Sequence, residues 1–154
     1  MARVVEGVAV TVTDTPDARW QLDLMRLYAG AWWAEQRSAD GVATMLDHTD
    51  LFATAQDSGT GRLVAFARVL TDFTFVALVL DVIVAESSRG RGIGAALMDA
   101  LCADERLATV ESIELTCQQE LEPFYARWGF TSRVGGSRLM RRTSLGHPLT
   151  RGEG

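Results

Sequence analysis

Residues 75–85 read Phe-Val-Ala-Leu-Val-Leu-Asp-Val-Ile-Val-Ala, and four residues later the chain runs into Arg89-Gly90-Arg91-Gly92-Ile93-Gly94. The first stretch is almost continuously apolar and rich in β-branched side chains, the pattern of a central strand covered on both faces. The second opens a helix that runs to about Arg106 and carries Ile93, Leu97, Ala100 and Leu101 on one stripe. Asp81 is the one charged residue inside the strand. A buried strand feeding a glycine-rich helix start implies a sheet with helices on its faces.

The other elements fall around this spine. Residues 4–12 alternate around Val4, Val8, Val10 and Val12 and predict a half-buried strand. Thr15 and Pro16 are suited to cap and open a helix carrying Trp20, Leu24, Leu27 and Ala31 and ending near Trp32. Ser38 caps a shorter helix with Val42, Met45 and Leu46. Residues 51–56 and 63–70 predict strands about a turn at 57–61, and Thr71-Asp72-Phe73-Thr74 makes a second turn. A strand over 111–117 and a short helix from Glu122-Pro123 through Trp128 follow, with Gly129 as its stop. Two final strands are expected to flank Gly135-Gly136. The order β α α β β β α β α β β defines a mixed α/β fold, with one domain over 1–142 and a mobile tail over 143–154.

Composition narrows the chemistry. The 154 residues are 47% apolar and 23% charged, which suits a single self-folding domain. All 15 basic residues are arginine, so a lysine Schiff base, a P-loop lysine and a lysine general base are excluded. A net charge of −5 supplies no basic surface for DNA or RNA. No stretch is long and apolar enough for a membrane span, and the N-terminus lacks a leader's apolar core, so a cytoplasmic protein is expected. Cys102 and Cys117 match neither a disulfide framework nor a zinc motif; both are expected to be reduced and no metal is expected.

The glycine loop is an anion site in the making. A helix start presents unpaired N–H groups and partial positive charge; Gly90, Gly92 and Gly94 let backbone approach a phosphate, and Arg89 and Arg91 add charge. Gly90-x-Gly92-x-x-Ala95 also matches a dinucleotide fingerprint, with Glu111 and Glu114 roughly 20 residues on, but the spacer Glu86 to Arg89 is too long for that motif. A glycine-rich turn without a ligand is the remaining alternative.

Val82-Ile83-Val84, a short spacer, and Arg89-x-x-Gly92-x-Gly94 resemble the acyl-CoA motif of the GNAT superfamily of N-acetyltransferases, and Phe124-Tyr125-x-x-x-Gly129-Phe130 resembles its second signature. The resemblance spans roughly residues 3–142. It implies a mostly antiparallel sheet of about seven strands with four helices on its faces, and acetyl-CoA as cosubstrate. It places pantetheine along Val82, Ile83 and Val84 and the pyrophosphate on the backbone of Arg89 to Ala95, with Ile93 and Gly94 between. It also implies an oxyanion donor at the Val82 N–H, Gln118 and Tyr125 beside the cofactor, and a homodimer.

Tyr125 occupies the family's general-acid position, with packing beside Phe124 and Trp128 as the alternative. Asp81 is the candidate base, because burial raises a carboxyl's pKa; a structural pair with an arginine such as Arg68 is the rival. Cys117 reads as a core thiol, and His48 as a helix-end or surface residue. The amine acceptor is expected near Trp32, Trp33, Glu35 and Asp72, with Asp72 alternatively shaping its turn. N-acetylation of a small molecule or protein amine by direct attack, without a covalent enzyme intermediate, is the expected function; a noncatalytic acyl-CoA-binding or sensing domain is the alternative.

Overall fold

A computed structural model describes residues 4–144. Its centre is a five-stranded sheet in the order β1-β2-β3-β4-β5, formed by β1 (Val8–Thr13), β2 (Leu51–Asp57), β3 (Leu63–Thr71), β4 (Val76–Val84) and β5 (Ser112–Leu115). The first four strands are antiparallel neighbours and β5 joins β4 in parallel. The helices are α1 (Trp20–Ala29), α2 (Ala39–Asp47), α3 (Ile93–Ala103) and α4 (Glu122–Ala126). Parallel neighbours require a crossover, and α3 supplies it. This single, mostly antiparallel sheet is not the doubly wound sheet of a dinucleotide-binding fold.

Each face of the sheet carries its own core. On one, Leu51, Ala53, Ala55, Ala65, Ala67 and Val69 pack against Ile93, Leu97, Met98 and Leu101 of α3. The alanines of β2 and β3 have no bulk above Cβ and let α3 lie close to the sheet. On the other face Phe52, Phe66 and Ile83 meet Trp20, Leu24, Leu27 and Tyr28 of α1 and Val42 and Leu46 of α2. Side chains alternate across a strand, so Leu51 and Phe52 serve opposite cores.

The largest departure from the sequence-based expectation is at the C-terminal end. Residues 131–144 form no strand, so the sheet has five strands where about seven were expected. This segment holds four arginines after Arg127, the Gly135-Gly136 pair and few apolar residues. Leu139 and Met140 are adjacent and would fall on opposite faces of a strand; both are exposed, as is Val134. With nothing to bury, ordering the backbone is not offset. The outer side of β5 instead borders an open hollow of about 830 Å³ between α4 and this segment. Of the expected tail, residues 145–154 lie outside the described residues.

Element ends moved as well. The first strand begins at Val8 because Gly7 takes φ +76° just before it. α1 begins at Trp20, since Thr15 Oγ1 donates to its neighbour Asp14 and caps no helix N–H. It stops at Ala29, where the Gly30 N–H turns back to the Leu27 carbonyl. Trp32 and Trp33 therefore leave the helix and enter the segment before α2. The expected cap at Ser38 is present, its hydroxyl accepting the Gly41 N–H at 3.0 Å.

β4 changes phase in its middle. Ala77 and Val79 face the α3 core; beyond Asp81 it is Val82 and Val84 that pack toward it, while Ile83 has turned to the α1 and α2 side. The register gives the cause: Arg68 pairs with Leu80 and Phe66 with Ile83, so Asp81 and Val82 together oppose Ala67. This is a β-bulge, which bends the strand and interrupts its ladder. Phe66, fully buried beside it, is a direct probe of this core. Phe66→Ala is expected to cost about 3–5 kcal/mol in urea unfolding, because it leaves a cavity between β3 and α1.

Candidate active site

β4 and β5 pair only from Val76 with Ser112 to Val79 with Leu115. Beyond that point a cleft of about 280 Å³ opens between residues 79–82 and 115–118, lined also by Trp32, Trp33, Leu121, Tyr125 and Arg141. The bulge lies on its wall. Val82, Gln118, Tyr125 and both tryptophans line this one cleft.

A second hollow, about 220 Å³, lies at the start of α3, lined by Val84, Ser88, Arg89, Gly90, Gly92, Ile93, Gly94, Ala95, Phe124 and Arg127. Gly92 is the N-cap at φ +80° and no side chain caps the helix, so the first N–H groups of α3 lack an intrahelical partner. Gly90 also takes a left-handed φ, and a Cβ there would meet nothing within 4 Å. The open backbone, the uncapped N–H groups and Arg89 at the rim fit a pyrophosphate. Arg91 behaves differently from expectation: its guanidinium turns away to the Glu6 carbonyl at 2.9 Å and ties the loop to the chain before β1.

Arg127 had not been singled out by sequence and belongs to this hollow. It follows α4, stacks over Phe124 at 4.5 Å and Trp128 at 5.0 Å, and Nε donates to the Phe124 carbonyl. Phe124 in turn sits where a Cβ on Gly94 would be 3.6 Å from its ring. The second signature motif is thereby packed onto the first, and the arginine inside it is brought to the glycine loop.

Asp81 sits in the buried ion pair that was the rival to a general base. Its side chain is only 5% exposed, and burial pushes its pKa up, but hydrogen bonding and charge from Arg37, with Arg68 adding to both, leave it below the ordinary value. Arg37 binds both oxygens, at 2.6 and 3.1 Å, Arg68 Nε donates at 2.7 Å and the Tyr28 hydroxyl at 3.1 Å. A carboxylate so occupied has little affinity for a further proton, so the geometry favours the arginine pair over the general base. The rival arrangement, a buried ion pair with Arg68, is present and extended by Arg37. Tyr28, whose phenol is pushed well above its ordinary pKa chiefly by burial, completes it as a neutral donor.

Tyr125 is buried, and desolvation, with the neighbouring Cys117 adding to it, pushes its pKa up to about 12. The phenol therefore keeps its proton at neutral pH. Burial raises the Cys117 thiol too, with Glu122 and Glu120 adding repulsion, so it is a poor nucleophile. Other candidates fall away from the cleft. Glu35 is exposed and does not line it. Asp72 spends Oδ1 on the N–H groups of Thr74, Phe75 and Val76, at 2.8–3.0 Å, and shapes the hairpin tip. His48 Nδ1 lies 2.8 Å from the Thr44 carbonyl in the exposed end of α2. Among the described residues no group of three or more His, Cys, Asp or Glu could hold a metal ion, and no helix is long and apolar enough to cross a membrane.

A mostly antiparallel five-stranded sheet whose β4 and β5 part just before a bulge, with a glycine-rich helix start after β4, is the architecture of an acetyltransferase fold. The family model described as an acetyltransferase (GNAT) domain matches residues 47–132. The chain belongs to the GNAT family. Among relatives, it is 36% identical to serotonin N-acetyltransferase 2, chloroplastic, of Oryza sativa subsp. japonica over 62% of this chain and 48% of that one. It is 31% identical to GCN5-related N-acetyltransferase 1, chloroplastic, of Arabidopsis thaliana over 77% of this chain and 60% of that one. The chain thus spans about half to three fifths of the length of these curated relatives. A solved GNAT-family acetyltransferase from Xanthomonas campestris pv. campestris superposes with TM-score 0.74 at 32% identity, covering 92% of this chain and 98% of that one.

Two outcomes follow from this geometry. Gly92→Ala is expected to cost about 1–2 kcal/mol, because a Cβ is strained at φ +80°; thermal unfolding measures it. Asp81, depressed below 3.8, stabilises the fold above that pH, and its contribution is lost as pH falls through the folded-state value. The melting temperature of the wild type should therefore fall more steeply on acidification below about pH 5 than that of Asp81→Asn; parallel curves would contradict it.

Proposed function

We propose that this protein transfers an acetyl group from acetyl-CoA to the primary amine of a small molecule or protein, by direct attack and without a covalent enzyme intermediate. The observation that carries the reading is that two hollows are built on the same two elements: Val82 of β4 and Tyr125 of α4 line the cleft, while Val84 and Phe124, on the same strand and helix, line the glycine hollow at α3. Acetyl-CoA supplies the activated acyl group as a thioester. Backbone of Arg89 to Ala95, with Arg89 and Arg127, holds its phosphates, and the edge of Val82, Ile83 and Val84 orients its pantetheine. The Val82 N–H faces the carbonyl oxygen on which charge develops.

Tyr125 donates to the departing sulfur. A phenol near 12 and a thiol near 8.5 differ by roughly 3–4 units, so the phenol stabilises the thiolate as a hydrogen-bond donor and need not surrender its proton outright. The raised pKa of Cys117 supports direct attack over an acyl-cysteine. Asp81 is committed to its arginines, so water takes the proton of the incoming amine. Gln118 lines the cleft beside the cofactor path. The names of two plant relatives, a serotonin and a glucosamine 6-phosphate N-acetyltransferase, favour a small-molecule acceptor seated against Trp32 and Trp33. The reading includes a cytoplasmic homodimer; the unpaired edge of β5 and the exposed Leu139 and Met140 support association, and light scattering checks it.

Calorimetric titration should show acetyl-CoA binding, and a panel of amines should reveal one that stimulates thiol release; no acetyl-CoA binding at all would sink the proposal. Tyr125→Phe should lower kcat about 100-fold with little change in acetyl-CoA affinity. Arg127→Ala should weaken acetyl-CoA by about tenfold, the scale of one charge-assisted hydrogen bond, and leave kcat at saturation near wild type.

A further inference from the structure

Asp81 has φ +56°, one of two non-glycine residues with positive φ among the described residues. Aspartate tolerates this region better than most side chains, yet the conformation still costs energy and persists only where surroundings over-determine it. Here they do. The carboxylate is gripped from three directions: by Tyr28 in the last turn of α1, by Arg37 from the segment between α1 and α2, and by Arg68 from β3. The strained residue is also the first of the two that oppose Ala67, so the grip and the bulge are one feature.

Arg37 connects this feature to the acceptor side of the cleft. Its guanidinium lies 4.7 Å from the Tyr28 ring and 5.3 Å from the Trp33 ring, and Trp33 lines the same cleft as Val82. The Arg37 guanidinium therefore meets the aromatic wall while its two terminal nitrogens hold both oxygens of Asp81. We propose that Arg37 and Asp81 are positioning residues: Asp81 shapes the bulge through its left-handed backbone, and Arg37 locks it and ties it to the Trp33 wall, so that the direction of the Val82 N–H is fixed from the acceptor side. This rests on the acetyl-transfer reading for its catalytic consequence, while the structural claim stands without it. Neither residue moves a proton.

The claim separates Asp81→Gly from Asp81→Ala. Both remove the carboxylate, but glycine accepts φ +56° freely and alanine does not. A positioning role predicts that Asp81→Gly keeps about tenfold more kcat than Asp81→Ala, and that Asp81→Asn leaves the inflections of the pH profile in place. Arg37→Lys, which keeps the charge and loses the fork, should lower kcat about 10- to 100-fold while the calorimetric Kd for acetyl-CoA changes less than twofold. Equal losses in Asp81→Gly and Asp81→Ala, with a limb of the pH profile abolished in Asp81→Asn, would overturn the proposal in favour of a base.

A readout free of turnover keeps the two claims apart. In the nitrogen-15 amide spectrum of the full chain without ligand, Arg37→Lys should shift the Val82 resonance more than those of β1 and β2. An unmoved Val82 resonance would overturn the positioning claim even in an active enzyme. If the wild type binds no acetyl-CoA and the Val82 resonance still moves, the activity reading fails and the positioning claim stands.

Discussion

A buried carboxylate held by two guanidiniums sits at the bulge of β4, on the wall of the cleft. Asp81 interrupts the most apolar strand of the chain, and an isolated charge there would be prohibitively costly; its oxygens are satisfied by Arg37, Arg68 and Tyr28. The left-handed backbone at that residue shifts the phase of β4, so Val79 and Val82 both face the α3 core and Ile83 crosses to the other. Pairing with β5 has already ended at Val79, and the cleft opens alongside the bulge.

The two halves of the site are built from different materials. The glycine hollow is made mostly of contiguous backbone, a strand end, three glycines and a helix start, with Arg89 and Arg127 also lining it. The cleft is lined instead by residues brought together from the α1–α2 segment, β4, β5 and α4. Absence of lysine is consistent with both. Arginine's fork suits a bidentate grip on Asp81, and its plane stacks on Tyr28, Trp33, Phe124 and Trp128.

Elements with strong local periodicity were legible in the sequence. β2, β3, β4 and α3 stand within a few residues of their expected places because their apolar patterns match what the two cores require. Helix ends were less legible: Trp32 and Trp33 continue an apolar pattern past Gly30, and only the turn of the Gly30 N–H to Leu27 shows that α1 has ended. The last two strands failed because glycines and turn residues flanking short mixed stretches suggest a hairpin, whereas a strand also needs a face to bury, and residues 131–144 have none.

By itself the sequence determined the glycine-rich helix start and the family, since Arg89 to Gly94 and Phe124 to Phe130 are short runs whose character is fixed by neighbours in the chain. Tertiary structure decided the state of Asp81. Arg37 is 44 residues from it, Tyr28 is 53 and Arg68 is 13, and no local rule says whether desolvation or two positive charges will govern a buried carboxyl. Only folding brings both arginines into contact, and their proximity makes a fixed anion of a residue that burial alone would have made a base.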